Sequence, residues 1–381
     1  MNDLSRDDHM ARFGRPLWLV YRKPDKIARA KIIGSRFGEP YHPEDRDHAF
    51  AILSVRVCLD LNLANPITLP VSHSAVNVHM QKLSHFDSAT GVMFTRAPVE
   101  PILSKAAMQH LCADPQNWNR SIKTFTSELL DHGVVEKWSK GELFSRLLFT
   151  MAHDCVAGAE TGMFNINGLL RALLSQCHHK VLERINREIL GAPMNFVGFT
   201  ATKTDLKHDD PNNKYLFAES FNRLCYTLLR RVMALQLAPQ RATYDQLLPF
   251  SYGDPNEPFD EEQVGAILVQ VKYKQRATSP AIVLGETFYP YDKPFPRAAK
   301  ILLILFDFGA SDSAVDVSYS KNENPRIWAI HARDMVRAPE DSQIAFEHDQ
   351  DLLENVFRHD TFVPPRNDDG NEEDDGRLRA N

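Results

Sequence analysis

The stretch YDQLLPF at residues 244–250 and the stretch GAILVQVK at residues 265–272 predict two β-strands that pair as a hairpin. The second stretch is an apolar run that ends in polar residues. Residues 251–260, SYGDPNEPFD, lie between them and are rich in Gly, Pro, Asn and Asp, the residues that favour chain reversal. We therefore expect the two strands to run antiparallel.

Three polar residues of this hairpin are expected to lie close together. If the chain reverses near residue 256 or 257, the numbers of facing residues sum to roughly 513–515, which places Asp245 almost opposite Gln270. Lys272 lies two residues beyond Gln270 and projects from the same face, which passes from core into solvent, whereas the face with Val269 and Val271 stays apolar. A carboxylate, an amide oxygen and an ammonium group would meet there, which suits a magnesium-dependent phosphodiesterase. A simpler interpretation is a strand whose polar end reaches water, with Asp245 capping a turn.

The order of these residues resembles the signature of the restriction-endonuclease-like fold, in which an Asp is followed by a strand ending in Glu/Gln-x-Lys. Other segments resemble the fungal and oomycete Crinkler-type and transposon-linked proteins that often carry such a domain. They are FGRPLW (13–18), PVEPIL (98–103), GEL (141–143) with RLL (146–148), and ALQ (234–236).

The resemblance implies that Asp245 and Gln270 hold Mg²⁺ or Mn²⁺ and that Lys272 orients or activates water. It implies hydrolysis of phosphodiester bonds in nucleic acid, with DNA expected rather than RNA. Members of the fold often add a Glu from the first core helix, and Glu142 is the candidate for this third metal ligand. Glu219, in the helix before the hairpin, is the alternative, and the helix dipole alone also explains a Glu early in a helix.

Two departures from the family pattern favour a second hypothesis. Gln270 stands where many members have Glu, and an amide brings no charge to a metal site, so the metal affinity should be weaker. Related proteins often carry a P-loop ATPase, but this chain has no G-x-x-x-x-G-K-[ST], and GFTATKT (198–204) lacks the second Gly. A P-loop ATPase module would have to come from another chain. The alternative is a catalytically inactive nuclease-fold protein that acts in binding, associated with an effector or a transposon.

Length and hydrophobic content indicate a folded protein with a substantial core, and the net negative charge does not by itself indicate a nucleic-acid binder. The 381 residues are 43% hydrophobic and carry a net charge of −6. Residues 176–241 hold ten basic and six acidic residues, and residues 272–300 hold six and two, so mildly basic segments flank the hairpin. Solvated helix faces explain these counts equally well.

The cysteines and the apolar runs indicate where the protein works. Five dispersed cysteines without a C-x-x-C pair indicate neither a disulfide framework nor a zinc ribbon, which fits the nucleus or cytoplasm. No apolar run approaches the length of a bilayer span, so no membrane association is expected. The His and Cys residues at 153–155 and 177–179 are expected to be structural or exposed, because their spacing points them apart.

The predicted fold class is α/β (α+β), with a helical N-terminal lobe and a mixed sheet flanked by helices. Four segments are expected: a helical region at 1–135, a restriction-endonuclease-like domain at 136–335, a helix within 336–365, and a disordered acidic tail at 366–381. Predicted helices are 48–61, 101–111, 122–130, 142–155, 169–189, 216–229 and 341–357. Predicted strands are 232–237, 244–252, 266–273, 300–308 and 326–331.

Overall fold

The structure is a computed structural model that describes most of the chain up to residue 333. The described ranges are 6–20, 24–34, 40–59, 68–87, 92–96, 100–130, 132–133, 140–157, 162–201, 221–237, 244–253, 260–272, 287–288, 293–294, 299–308, 314–320 and 327–333. The predicted helix at 341–357 and the tail at 366–381 lie outside these ranges.

Helices fill the first half of the chain. They are α1 (Asp7–Met10), α2 (Leu17–Val20), α3 (Pro24–Ile32), α4 (Arg46–Val57), α5 (Thr68–Asn77), α6 (Pro101–Leu111), α7 (Asn117–Phe125), α8 (Lys140–Ala157), α9 (Ile166–Leu173), α10 (His179–Leu182), α11 (Arg187–Leu190) and α12 (Phe221–Arg231).

Strands dominate the second half. They are β1 (Lys82–Asp87), β2 (Val92–Arg96), β3 (Phe164–Asn165), β4 (Pro193–Met194), β5 (Phe199–Ala201), β6 (Ala234–Gln236), β7 (Gln246–Ser251), β8 (Val264–Lys272), β9 (Thr287–Phe288), β10 (Lys293–Pro294), β11 (Lys300–Asp307), β12 (Ala314–Ser320) and β13 (Ile327–Arg333).

Nine of the described strands form one mixed sheet around the predicted hairpin. Its main path runs β12-β13-β11-β8-β7-β4-β3, and β6 pairs with both β7 and β5. β7 and β8 are antiparallel, and Gln246 faces Val269 while Ser251 faces Val264. The hairpin and its register are therefore as predicted. β11 runs parallel to both β8 and β13, so the carboxyl ends of these three strands lie at one edge of the sheet.

Helices cover both faces of the sheet because its central strands are apolar on both sides. Ile267 and Val269 of β8 belong to a core shared with α8, whose Phe144 and Phe149 contact the phenylalanines at the end of β11. Leu268 faces the other way and packs in a separate core with α12. The predicted α/β class and the flanking helices are confirmed.

The N-terminal helices share one hydrophobic core with the sheet. Side chains from α3, α4 and α6 contact those of α8 and of the sheet strands in a single buried cluster. The Arg56 guanidinium of α4 crosses this core, where it donates to the Asp154 carboxylate of α8 and to the backbone oxygen of Val197. The division at residues 135 and 136 stays a prediction.

Most predicted elements are present with shifted ends, and one is wrong. The predicted helix at 169–189 is broken, because Leu174 is extended and the side chain of Asn186 caps a new helix by accepting from the N–H of Glu188. The strands β1 to β5, β9, β10 and β12 were not predicted, since segments of two to seven residues carry little periodicity.

None of the helices in the described ranges has the length and the apolar character that crossing a lipid bilayer requires.

Candidate functional site

The sheet brings the predicted site residues to one end of the hairpin. β8 ends at Lys272, and the antiparallel β7 begins at Gln246, directly after Asp245. β6 is antiparallel to β7 and therefore ends, at Gln236, at this same end. The first turn of α8, which contains Glu142, reaches this end as well.

The Asp245 carboxylate lies against the backbone of β8 between Gln270 and Lys272. Asp245 Oδ2 accepts a hydrogen bond from the N–H of Val271 over 2.7 Å, and the Asp245 N–H donates to the Val269 oxygen over 2.7 Å. The Asp245 residue is only 5% exposed. Two backbone contacts therefore hold this carboxylate beside the Gln270 and Lys272 positions.

The electrostatics of the site favour protonation of Asp245 when no cation is bound. Burial, together with the nearby negative charge of Glu142, raises the pKa of the Asp245 carboxyl to about 7. The Val271 N–H and the positive charges of Lys272 and Arg146 oppose this rise in pKa. Glu142 and Arg146 thus lie near enough to Asp245 to influence its pKa. For Glu142 this is the relationship expected of two carboxylates at a shared metal site.

Glu142 is held by contacts that span three elements. A Cβ atom on Gly141 would lie 3.3 Å from Val271 Cγ1, so the glycine lets the start of α8 approach β8 closely. Gln236 Nε2 donates to Glu142 Oε2 over 2.6 Å, which fixes the carboxylate. Gln246 Nε2 donates to the backbone oxygen of Glu142 over 3.0 Å, which fixes the helix end.

Gln270 is more buried than the sequence indicated. It is 3% exposed, whereas Lys272 is partly exposed. The expectation that this face opens to solvent at Gln270 is wrong, because β11 runs beside β8 to its very end and the Phe308 N–H donates to the Lys272 oxygen over 3.0 Å. The transition to solvent comes two residues later.

Sequence reasoning missed Gln236 and Arg146 as members of this site. Arg146 follows Glu142 by four residues in α8, which places both on one helix face, so helical spacing was an available signal. Gln236 ends a strand of three residues and has no local signal of its own. Only the pairing of β6 with β7 places it beside Glu142.

The polar end of the sheet continues across the two parallel strands next to β8. Asp307 of β11 lies beside Lys272, and His331 of β13 lies one strand further. His331 Nε2 is 3.8 Å from Asp307 Oδ2, and both residues are buried. Burial, together with Arg333, lowers the pKa of His331, which favours its neutral form at pH 7.

The donor atoms at this end of the sheet suit a hard divalent cation. The carboxylate of Glu142 and the amide of Gln236 lie on the α8 face, the amide of Gln270 lies on the opposite face, and the Asp245 carboxylate lies against the β8 backbone between them. All four offer oxygen ligands of the kind that Mg²⁺ and Mn²⁺ accept. Within the described ranges no three His, Cys, Asp or Glu side chains form a metal-binding group. A cation here would therefore depend on the amide oxygens as well as the carboxylates.

The other residues considered from the sequence lie elsewhere. Glu219 falls outside the described residues. His153 is fully buried and its Nδ1 lies 2.8 Å from Asp154 Oδ1, whereas Cys177 is exposed. All five cysteines are free thiols.

No family model, curated protein or solved structure matches this chain. The interpretation of the site therefore depends on its own geometry.

Proposed function

We propose that this protein is a divalent-metal-dependent nuclease-like hydrolase of phosphodiester bonds in DNA. The observation that carries the proposal is the electrostatic interaction of Asp245 with both Glu142 and Lys272, which brings three elements together at one end of the sheet. The resemblance to the Asp…Glu/Gln-x-Lys signature supports the same reaction class.

The chemistry divides among these side chains. A bound Mg²⁺ would polarise the scissile phosphate and lower the pKa of an attacking water. Asp245, Glu142 and the side-chain oxygen of Gln270 would hold the cation. The ammonium group of Lys272 would stabilise negative charge that develops on the phosphate oxygens, or orient the water. The buried position of Asp245 excludes bulk water and strengthens these interactions.

A basic helix on the face of the sheet that carries Gln270 and Lys272 supports a polyanionic substrate. α12 packs on the face that carries Leu268 and has three arginines and no acidic residue. The guanidinium carbons of Arg223 and Arg230 lie 5.9 Å and 5.6 Å from the ring centroid of Tyr226. Tyr226 is partly buried, and Arg223 also pairs with Glu261 over 2.8 Å. Arginines beside an aromatic ring suit contact with phosphates and bases.

The charge balance of the site favours a second candidate function, nucleic-acid binding without cleavage. Even with Asp245 ionised, the two carboxylates, Glu142 and Asp245, are balanced by two cations, Arg146 and Lys272, so the four charges sum to zero. Gln270 adds no charge, which weakens the attraction for a metal ion. On this alternative the protein retains the fold as a binding partner in an effector or transposon system, with any ATPase module supplied by another chain.

Cleavage of supercoiled plasmid with Mg²⁺ or Mn²⁺ separates the two candidates. Wild-type protein is compared with Asp245→Ala and Lys272→Ala, and with Lys300→Ala as a matched control at the opposite end of the sheet, where Lys300 contacts Glu188. We expect metal-dependent nicking by wild type and Lys300→Ala and none by the two site variants. No nicking by folded wild-type protein with either metal would make the binding function the leading one.

A further inference from the structure

The side-chain amide of Gln236 makes hydrogen bonds through its nitrogen and none through its oxygen among the described residues. Its Nε2 donates to Glu142 Oε2 over 2.6 Å and to the Leu237 oxygen over 3.1 Å. Its Oε1 is buried and has no hydrogen-bond partner among the residues that the structure describes, and the Gln236 residue is 4% exposed. The side chain is therefore anchored at the site through its nitrogen while its oxygen is unused.

An unused buried amide oxygen needs an explanation. An unpaired buried acceptor loses its hydrogen bonds to water without replacement, and a bound ion is one of the usual reasons that such an acceptor persists. Gln246, the cross-strand neighbour of Gln236, shows the contrast. Gln246 Nε2 donates to the backbone oxygen of Glu142, and Gln246 Oε1 accepts from Ser145 Oγ over 3.1 Å. Both ends of the Gln246 amide are therefore hydrogen-bonded within the protein.

We propose that Gln236 Oε1 is a ligand of the divalent cation, alongside the carboxylate of Glu142. The inference depends on the proposed function only for the identity of the ion. Side-chain amide oxygens are ordinary ligands of Mg²⁺ and Mn²⁺. The cation would then lie on the face of the sheet that α8 covers, where Glu142 and Gln236 are, and β6 would belong to the site together with Asp245 and α8.

The competing role for Gln236 is to orient Glu142 by hydrogen bonding alone. The two roles predict opposite effects of a carboxylate at position 236. As a ligand, Gln236→Glu supplies a charged oxygen to the cation and strengthens binding. As an orienting donor, it loses the N–H and places a second negative charge against Glu142, which weakens binding.

Manganese binding, measured without nucleic acid, tests the inference. Free Mn²⁺ is followed by electron paramagnetic resonance in titrations of wild type, Gln236→Glu and Gln236→Leu. Gln263→Glu is the matched charge control at the far end of β8, where position 263 is exposed. We expect at least fivefold tighter binding by Gln236→Glu, at least fivefold weaker binding by Gln236→Leu, and no change in Gln263→Glu. Binding by Gln236→Glu that is equal to or weaker than that of wild type overturns the inference, as does the absence of Mn²⁺ binding by wild type.

A measurement on wild-type protein covers the case in which the variants do not fold. In protein labelled with ¹⁵N-glutamine, the side-chain NH₂ signals of Gln236 should shift as Mg²⁺ is added. The Kd from this shift should equal the Mg²⁺ Kd obtained by competition with Mn²⁺. Signals that do not move contradict the inference. The plasmid assay reports on the proposed function separately. If the protein binds Mn²⁺ through Gln236 but does not cut plasmid, only the nuclease function is contradicted. If the protein cuts plasmid while its position-236 variants bind Mn²⁺ as wild type does, only this inference is contradicted.

Discussion

The N–H of Val271 donates to the Asp245 carboxylate over 2.7 Å, so the backbone of β8 fixes the carboxylate that precedes β7. Val271 lies between Gln270 and Lys272, and its own side chain packs on the opposite face against the start of α8. Because the contact uses a backbone donor, substitutions at positions 270 and 272 should leave Asp245 in place. Effects of such substitutions can therefore be attributed to the substituted side chains.

Replacement of Asp245 by Asn should stabilise the metal-free protein at alkaline pH. Burial raises the pKa of Asp245 from its usual 3.8 to about 7, so its stabilising contribution is complete below pH 3.8 and is lost as the pH rises through 7. Asn is neutral at every pH and can still accept from Val271. We expect the unfolding free energy of Asp245→Asn to exceed that of wild type by about 2–4 kcal/mol at pH 8, and the difference to vanish near pH 4.

Urea unfolding in EDTA at several pH values measures this difference. Asp316→Asn serves as the control, because Asp316 is an exposed carboxylate paired with Arg333 on the outer strands. Identical pH profiles for wild type and Asp245→Asn would show that Asp245 ionises normally in the folded protein.

Glu142→Gln should lower the pKa of Asp245. The charge of Glu142 is the second cause of the raised pKa, after burial, so its removal should bring the Asp245 pKa down while leaving it above 3.8. A Gln at position 142 retains an oxygen that can accept from Gln236 Nε2, so the local structure should persist. Titration of ¹³C-labelled Asp carboxyl groups measures the change. An unaltered Asp245 pKa would place Glu142 too far away to share a cation with it.

Gln270→Glu should strengthen metal binding. A third carboxylate adds charge where the amide supplies none, and we expect roughly tenfold tighter Mg²⁺ binding on general grounds of ligand charge. Nicking should then saturate at a lower Mg²⁺ concentration than in wild type. Calorimetric titration with Mg²⁺ measures the affinity, with Gln263→Glu as the charge control. Weaker binding by Gln270→Glu would exclude position 270 from the metal site.

Gly265→Ala should destabilise the sheet. A Cβ atom on Gly265 would lie 2.5 Å from the Lys300 oxygen and 2.5 Å from Phe250 Cζ, so β8 could no longer sit between its two neighbours without a shift of backbone. We expect a loss of about 3 kcal/mol in unfolding free energy. In Gly168→Ala, the control, the new Cβ atom meets the Val156 side chain at 3.2 Å, and the change should stay within about 1 kcal/mol. Equal losses for both variants would contradict the close packing at position 265.

The sequence predicted the hairpin and its neighbours well because their signals are local. Side chains alternate with a period of two along a strand, and the turn residues between 251 and 260 set the register, so the expected pairing of Asp245 with Gln270 agrees with the observed ladder. The helix at 101–111 and the strand near 300–308 follow the same logic of periodicity and apolar runs.

The broken helix at 169–189 shows where this reasoning fails. Its mixed apolar and charged residues fit a helical pattern throughout, yet extended backbone at Leu174 and the cap at Asn186 divide it. A single long helix competes with shorter helices whose ends are capped by side chains and which pack against the core. The spacing of apolar residues does not show which of these conformations is more stable.

Local sequence patterns were enough to predict which residues share a strand, which face they occupy and which partner they meet across the hairpin, because these depend on contacts a few residues apart. The contact of Glu142 with Gln236 at 2.6 Å, across more than ninety positions of sequence, appears only in the folded protein. The burial of Gln270 and the rise of the Asp245 pKa to about 7 likewise appear only there. These properties arise from the packing of α8 and β11 around β8, since burial and long-range charge proximity exist only once distant segments have come together.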